Sequence, residues 1–267
     1  MRILSTDLGH ITFNNNIQGN LAKALLHSIT SEDQHELANF RILMGKYNSF
    51  FDGILQRDVL ESLNYLIEIL HDGTKKNLID LEFELDDDSF VTSLAKNLFT
   101  CTIKKTFKCN ICYYGTVRDE NTQYIYLYPK NTPSSISELL NQSFYGQIAR
   151  MCEECSAVTE HAEVSAIEYC LDILVIVINR FDVGNHTRKN RTNITLERKL
   201  CHNFKNYDLI GSVHHLGDST TSGHYTSKIY HTDIVYNCND HIITEIVPSD
   251  ANSDNAYLLF YKYSSQP

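Results

Sequence analysis

The sequence lacks any apolar run approaching the ~20 residues that a membrane-spanning helix needs. The N-terminal segment MRILSTDLGHITF also has no apolar stretch of the kind that forms a secretory signal peptide. These absences argue against a membrane protein and against a secreted one. We therefore expect a soluble intracellular protein with no membrane partner.

Positive charge is in short supply. The 267 residues include 23 Lys and Arg against 33 Asp and Glu, which gives a formal net charge of −10. An acidic protein repels the phosphate backbone of nucleic acids. We therefore expect little or no direct contact with nucleic acid, except at a local basic run from Arg188 to Arg191.

Cysteine is absent from residues 1–100, and all eight cysteines come later. Because intracellular proteins rarely keep disulfides, these residues are expected to be thiols or metal ligands. Two C-x-x-C pairs stand out, Cys109 with Cys112 and Cys152 with Cys155, with 39 residues between the pairs. Two such pairs can surround one tetrahedral zinc and leave no open position for water, so we predict a structural zinc.

Unligated thiols in turns, or disulfides, are the alternatives for these four residues. The remaining cysteines lie in or beside apolar, strand-like segments: Cys101, Cys170, Cys201 and Cys238. Such cysteines usually behave as small buried hydrophobic residues, so we predict no ligand role for them.

The spacing of apolar residues divides the chain into a helical first third and a strand-rich remainder. NLAKALLHSI and RDVLESLNYLIEIL have helical spacing, and Gly73 follows the second as a helix stop. From about residue 78 the period becomes two, as in LIDLEFEL and TQYIYLY, and DILVIVINRF is predicted to be a fully buried strand at the centre of a sheet.

SSISELLNQ is a predicted helix with Ser135 and Glu138 at capping-box spacing, and DVGNHTRKNRTNIT is a predicted loop. The pattern predicts an α+β architecture, a helical lobe followed by a large, mostly antiparallel sheet.

His224 opens a predicted strand in SGHYTSKIY, and Asn239 and Asp240 follow 15 and 16 residues later in NCND. That interval fits a strand, a turn and a return strand. Thiol proteases use one Asn or Asp to orient the histidine that activates their cysteine, and either Asn239 or Asp240 could fill that role. A strand histidine taken alone is more often structural, so chemistry at His224 requires a nucleophile elsewhere in the chain.

Several stretches, in this order, resemble the ubiquitin-specific proteases. QRDVLESLNYLIEIL resembles their Q-x-D-A-x-E-F-L helix, CNIC and CEEC their zinc-bearing fingers, LVIVINRFD their R-F strand, and SGHYTSKIY, VYNCND and AYLLFYKY their histidine box and closing strand. The resemblance covers about residues 13 to 263. It implies the ubiquitin-specific protease fold of the papain-like thiol protease superfamily, in which a helical thumb, an antiparallel-sheet palm and zinc-ribbon fingers grip ubiquitin.

The same resemblance implies one domain over residues 1–267. The thumb would occupy about 13–75 and the fingers about 100–168, and the palm would take the remainder, chiefly 78–99 and 169–263.

The nucleophile of this family lies in a motif of the form L-x-N-x-G-N-T-C-Y-M-N-S-x-L-Q. FNNNIQGNLAKALLH, residues 13–27, fits the motif without a gap, and the cysteine position then falls on Asn20. A carboxamide has no proton that titrates near neutral pH, so it cannot become the activated nucleophile. The resemblance therefore implies a degenerate triad of Asn20, His224 and Asn239, with Asp240 neighbouring, that is not active.

One branch of the family shows the same loss, the ubiquitin-protease-like proteins of the spliceosomal tri-snRNP. FNN at 13–15, LHDGTKKNLIDLEFEL, NYDLIGSVHH and ITEIVPSDANSDNAYLLFYK resemble that branch, although GHY at 223–225 is intact here. The resemblance implies a nuclear, non-catalytic scaffold in pre-mRNA splicing, with tri-snRNP proteins as partners and ubiquitin as a further candidate.

Two alternatives stay open. One is an active ubiquitin-specific cysteine protease that removes ubiquitin from conjugates, if the alignment at Asn20 is wrong or if an upstream exon supplies a cysteine. The other is the pseudo-protease domain of the poly(A)-nuclease deadenylase complex, which would require a neighbouring nuclease domain.

Overall fold

The computed structural model describes residues 11–31, 34–53, 57–77, 91–170, 172–182, 185–219, 222–247 and 252–264. The chain forms two compact units, Met1–Leu98 and Phe99–Pro267. The first is mainly helical and the second mainly strands, so the predicted α+β order is confirmed. Among the described residues, no helix is both long enough and apolar enough to cross a membrane.

Helices dominate the first unit. They are α1 Ile17–Thr30, α2 Gln34–Tyr47, α3 Val59–Thr74 and, at the boundary, α4 Leu94–Phe99. A 3-10 turn at Ser49–Phe51 and a short antiparallel pair, β1 Lys76–Asn77 with β2 Val91–Thr92, lie between them. The two helices expected from apolar spacing are thus confirmed, whereas α2 was not predicted. The predicted strand LIDLEFEL falls outside the described residues.

The first turn of α1 is fixed by its cap and by its packing. The Asn16 side chain accepts a hydrogen bond from the Gly19 N–H at 2.7 Å, which satisfies a donor that the helix leaves unpaired. Leu21, Leu25 and Leu26 are buried, as the apolar spacing predicted.

Gly73 has a different role from the helix stop that we predicted. Helix α3 continues through it to Thr74, and Gly73 is buried. A Cβ at Gly73 would lie 2.6 Å from the Gln18 carbonyl oxygen and 2.7 Å from the Ala22 Cβ. The glycine is therefore needed because α1 and α3 approach each other closely there.

A four-stranded sheet occupies one part of the second unit, in the order β4-β3-β8-β7. Its strands are β3 Cys101–Cys109, β4 Gly115–Thr122, β7 Tyr145–Cys152 and β8 Ala157–Cys170. All three pairings are antiparallel. This sheet, which we call the finger sheet, carries both cysteine pairs at one end.

An eight-stranded sheet makes up most of the rest, and we call it the main sheet. Its path runs β17-β16-β15-β14-β19-β9-β5, with β13 paired to β14. The strands are β5 Tyr124–Leu127, β9 Ile173–Ile178, β13 Lys199–His202, β14 Lys205–Leu216, β15 His224–His231, β16 Ile234–Asn239, β17 Ile242–Ile246 and β19 Ala256–Ser264. Only the β5–β9 pairing in this sheet is parallel.

Strand β9 is buried along its whole length, as predicted from its apolar run. Alternate residues of this strand pack in one core cluster with Ile136, Leu139 and Leu140 of helix α5, Ile136–Ser143. The prediction that β9 lies at the centre of the sheet is wrong, because only β5 lies beyond it. The packing of α5 buries a strand near the edge.

Helix α5 begins with the predicted capping box. The Glu138 N–H donates to Ser135 Oγ at 3.2 Å, and the Ser135 N–H donates to Glu138 Oε2 at 2.8 Å. The predicted loop after β9 is wrong in part, since it contains short strands: β10 Phe181–Asp182, β11 Asn185–Lys189 and β12 Ile194–Thr195. Strand β12 lies between β6 Ser134–Ser135 and β18 Asn252–Ser253.

Candidate functional site

Two turns at one end of the finger sheet bring four sulfur atoms together. Cys109 ends β3 and Cys152 ends β7, and Cys112 and Cys155 lie in the turns that follow. All four Sγ atoms lie within 4.8 Å of one another; the Cys109–Cys155 distance is 3.9 Å and the Cys112–Cys152 distance is 3.5 Å. Zinc–sulfur bonds of about 2.3 Å in a tetrahedron set sulfur atoms about 3.8 Å apart. The cluster therefore has the dimensions of a four-thiolate metal site.

Backbone geometry holds the sulfurs toward one point. Tyr113 adopts φ 62°, and its N–H donates to the Cys109 carbonyl at 3.1 Å. The Ile111 N–H points at Cys109 Sγ at 3.4 Å. In the second turn, Ser156 adopts φ 48°. An N–H group directed at sulfur favours the thiolate, which is the form that binds a metal.

The pKa values of Cys109 and Cys155 shift in opposite directions. A hydrogen bond with Thr159 lowers the pKa of Cys109 to about 5, whereas hydrogen bonding with Cys112 raises the pKa of Cys155 to about 12. Crowded thiolates repel one another until a cation neutralises them. The cluster can therefore hold a metal ion, and thiolate ligands select soft or borderline ions.

The other four cysteines divide into two groups. Cys101 and Cys170 are buried and lie directly opposite each other in β3 and β8, as expected for small core residues. Cys201 is exposed on β13 and Cys238 is half-buried on β16. The prediction of burial is therefore wrong for Cys201, because β13 is a short strand with partners on one side only.

The predicted histidine pair is formed in the main sheet. His224 is the first residue of β15 and Asn239 is the last residue of β16, and these strands are antiparallel neighbours. His224 Nε2 lies 2.6 Å from Asn239 Oδ1. Because a carboxamide oxygen can only accept, the imidazole donates through Nε2. An orienting contact of this kind fixes the tautomer of a histidine base.

Asp240 is a secondary neighbour of this pair. Its Oδ2 lies 3.9 Å from His224 Nε2, and its side chain is 71% exposed. It occupies the turn between β16 and β17 with φ 51°. Asn239 is therefore the residue that orients His224, and Asp240 contributes a screened charge.

Asn20 lies at the end of the first turn of α1, on the helix where the nucleophile was expected. Its N–H donates to the Asn16 carbonyl at 3.2 Å, so its backbone is regular, and its side chain is exposed. Asn20 belongs to the first compact unit and the histidine pair belongs to the second. No local constraint in α1 demands a cysteine at this position.

A basic residue within the predicted loop DVGNHTRKNRTNIT supports the segment before His224. Lys189 is buried, and its Nζ donates to the carbonyl of His215, to the carbonyl of Gly217 at 3.2 Å and to Asn255 Oδ1 at 2.9 Å. Burial lowers the pKa of Lys189 to about 8. No sequence signal marks this residue, because lysine in a polar run is ordinarily solvated.

Arg191 is likewise engaged within the protein. Its guanidinium contacts Asp218 Oδ1, and its Nη1 lies 3.5 Å from Asp254 Oδ2. Burial therefore removes Lys189 from the basic run Arg188 to Arg191, whereas Arg191 is partly exposed and paired with carboxylates.

Gly223 and His215 also shape the segment before His224. A Cβ at Gly223 would lie 2.1 Å from His215 Nε2 and 2.8 Å from the Leu216 carbonyl oxygen. Only glycine fits between His215 and the start of β15, which explains the glycine in GHY.

A serine–histidine contact lies in the core of the main sheet. Ser212 Oγ is 2.8 Å from His214 Nε2 and 3.0 Å from the Tyr230 hydroxyl, and His214 Nδ1 is 3.1 Å from Ser253 Oγ. Burial lowers the pKa of His214 to about 4. Since Ser212 and His214 are both buried, this network stabilises the sheet and is not a substitute nucleophile site.

The fold and the site define a class of protein. The structure is similar to that of the SAGA DUB module Ubp8/Sgf11/Sus1/Sgf73 bound to monoubiquitin, with a TM-score of 0.78 and 20% sequence identity. The alignment covers 100% of this chain and 62% of that chain. The same module bound to ubiquitin aldehyde gives TM-score 0.76 and 19% identity, with 100% and 63% covered. The fold is that of the ubiquitin-specific proteases, as predicted.

The family model described as ubiquitin carboxyl-terminal hydrolase matches residues 10–261, and the chain belongs to that family. Ubiquitin carboxyl-terminal hydrolase 9 of Saccharomyces cerevisiae is 22% identical over 82% of this chain. Ubiquitin carboxyl-terminal hydrolase 25 of Arabidopsis thaliana is 24% identical over 94% of it. The matched regions cover only 33% and 39% of these relatives, so the chain spans little more than a third of their length.

Proposed function

We propose that this chain is a non-catalytic ubiquitin-specific-protease-like domain. One observation carries the proposal: the His224–Asn239 pair is oriented at 2.6 Å, while the helix expected to supply the nucleophile presents Asn20, and residues 1–100 contain no cysteine. A histidine base without a thiol has nothing to activate. Removal of the nucleophile from such a triad typically lowers kcat by about 10⁶.

The proposed metal is zinc, with a structural role. Four thiolates in two C-x-x-C turns form the ligand set of closed zinc sites. Such a site would be held by Cys109, Cys112, Cys152 and Cys155, and zinc binding there would couple to folding of the finger sheet.

Ubiquitin is the first proposed partner. The solved structures with this fold include complexes with monoubiquitin and with ubiquitin aldehyde, which supports the proposal by similarity of fold. Loss of a nucleophile removes chemistry and does not by itself remove a binding surface.

The proposed cellular role is that of a nuclear scaffold of the spliceosomal tri-snRNP in pre-mRNA splicing. Its support is the resemblance of FNN, LHDGTKK and NYDLIGSVHH to the tri-snRNP branch of the family. The net charge of −10 favours contacts with tri-snRNP proteins over contacts with RNA.

Enzymatic activity and ubiquitin binding should be measured on the same protein. We expect no release of fluorophore from a ubiquitin C-terminal conjugate, and saturable binding of ubiquitin by titration calorimetry. Asn20→Cys is the informative variant and Asn20→Ser its matched control. Turnover by the unmodified chain would support the alternative, an active deubiquitinase.

The splicing role has a separate test. A tagged copy isolated at physiological ionic strength should recover tri-snRNP proteins, identified by mass spectrometry. Recovery of ubiquitin-processing factors with no splicing proteins above background would reject the role, without affecting the conclusion about catalysis.

A further inference from the structure

Among the described residues, the last strand of the main sheet has a strand partner on one side only. Strand β17, Ile242–Ile246, pairs with β16 and ends the strand order. Its apolar side chains face solvent on both surfaces: Ile242 is 52% exposed and Ile243 66% exposed, and Val247 just beyond the strand is 72% exposed. An edge strand presents unpaired backbone N–H and C=O groups that can pair with another chain.

Two other sheet edges carry the protection that proteins ordinarily build into such strands. Strand β5 has four residues and is followed by Pro129 and Lys130, whose carbonyls accept hydrogen bonds from Asn190. Strand β4 carries three consecutive charges, Arg118, Asp119 and Glu120. Strand β17 has no lysine or proline, and its register with β16 runs through five residue pairs without a bulge.

Charge at this edge selects one kind of occupant. Residues 232–247 contain three carboxylates, Asp233, Asp240 and Glu245, and no lysine or arginine. A basic strand would therefore complement the edge.

A second copy of this chain is a poor match for the same edge. Antiparallel pairing about Thr244 would set Glu245 opposite Ile243 and place both Glu245 side chains on one face. Each chain also carries a net charge of −10, which opposes self-association.

We propose that β17 is a docking edge for an extended, basic segment of a partner protein, which adds a strand to the main sheet. Backbone hydrogen bonds align the partner segment with β17. Its apolar side chains cover Ile242 and Ile246 on one face of the sheet, or Ile243 on the other face. A lysine or arginine of the partner stands opposite Glu245. Because Ile242 of β17 pairs with Asn239 of β16, the added strand is separated by one strand from the residue that orients His224.

Synthetic nonapeptides that alternate valine and threonine test this proposal. One carries a central arginine, a second carries glutamate there, and a third has the arginine sequence with alternate backbone nitrogens methylated to block strand pairing. Binding to the full chain is measured by fluorescence anisotropy up to millimolar peptide. Glu245→Lys is the test variant, and Glu160→Lys, at an exposed position of β8, is its matched control.

We expect the arginine peptide to bind the unmodified chain and the methylated peptide not to bind. Glu245→Lys should weaken the arginine peptide about tenfold, since attraction becomes repulsion, and should favour the glutamate peptide. Glu160→Lys should change neither. The proposal is overturned if no peptide binds, if methylation has no effect, or if Glu245→Lys leaves the order of affinities unchanged. Reversible dimers in sedimentation that respond to Glu245→Lys would also overturn it, because the occupant would then be a second copy.

Discussion

The cysteine cluster and the histidine pair belong to the same unit of the chain, yet they differ in what they contain. The cluster has all four of the thiol ligands that a closed metal site needs, with Sγ atoms within 4.8 Å of one another. The histidine pair has an oriented imidazole at 2.6 Å from Asn239, and the residue expected to complete it is Asn20. Under the proposed function, the orienting part of a reaction centre is present without the reactive group.

The difference follows from what each residue does for folding. The cysteine turns connect the strands at one end of the finger sheet. Loss of these cysteines should therefore destabilise all the strands of this sheet. Asn20 is exposed on a regular helix whose buried face is formed by other residues, Leu21 and Leu25 among them. Because the side chain at position 20 is exposed, we expect substitutions there to leave the packing of α1 intact.

The largest expected effect is loss of the metal. Cys152→Ser should lower metal content from about one ion per chain to none and should expose the finger sheet, since four-thiolate sites couple binding to folding. Metal analysis after purification without chelator, with hydrogen exchange over 101–170, measures both.

Cys201→Ser is the matched control for this substitution, because Cys201 is exposed and lies outside the cluster. It should retain metal and protection. An unmodified chain with far less than one ion per molecule would contradict the structural role of the cluster.

The next effect concerns acid stability of the histidine region. The pKa of His214 is lowered to about 4 by burial, with Lys228 and Arg180 adding to the shift, whereas an unfolded histidine titrates near 6.5. Between these values the unfolded chain binds the extra proton, so the free energy of unfolding falls as pH drops. The loss from this group should approach about 3 kcal/mol by pH 4.

Urea unfolding between pH 4 and 7 measures this dependence. His214→Asn should be less stable overall but should lose the part of the pH dependence that His214 contributes, while His231→Asn, at an exposed histidine, should keep it. An unchanged pH profile in His214→Asn would show that other groups govern acid unfolding.

Lys189→Met tests whether the hydrogen bonds of Lys189 position the segment before His224. Two carbonyls and Asn255 lose a donor, which should lower the free energy of unfolding by about 2 kcal/mol. Hydrogen exchange over 215–219 should accelerate relative to Lys199→Met, an exposed control. Equal exchange in the two variants would contradict the positioning role.

The smallest effect is expected at the histidine pair itself. Asn239→Ala removes one half-buried hydrogen bond and should cost about 1 kcal/mol or less in chemical unfolding. Asn239→Asp, which retains an acceptor, should recover most of the loss. A cost several times larger would mean that the pair is structural, and the comparison with the cysteine cluster would fail.

The sequence is informative where the structural signal is local. The capping box at Ser135 and Glu138 lies within one turn and is confirmed. Each C-x-x-C pair lies within one turn and the interval from His224 to Asn239 lies within one hairpin, and the structure brings these side chains together, whereas their chemical roles stay predictions. The resemblance to the ubiquitin-specific proteases added the fold, which the family match and the structural comparisons support.

Features that depend on distant neighbours were missed. Gly73 looked like a helix stop because its contact with Gln18 in α1 is invisible in the local sequence. Lys189 looked solvated because its acceptors at His215 and Gly217 follow more than 25 residues later. Helix α2 was missed because Leu37 and Ile42 are exposed, so its apolar spacing does not mark one buried face.

An electrophilic ubiquitin probe, read by intact mass, tests the central claim most directly, because such a probe reports only a reactive thiol placed at the end of a bound ubiquitin. We expect no adduct on the unmodified chain. In Asn20→Cys an adduct should appear, if slowly, and Asn20→Cys combined with His224→Ala should reduce it. An adduct on the unmodified chain that maps to any of its eight cysteines would contradict this expectation. That cysteine would then be a reactive nucleophile elsewhere than at position 20.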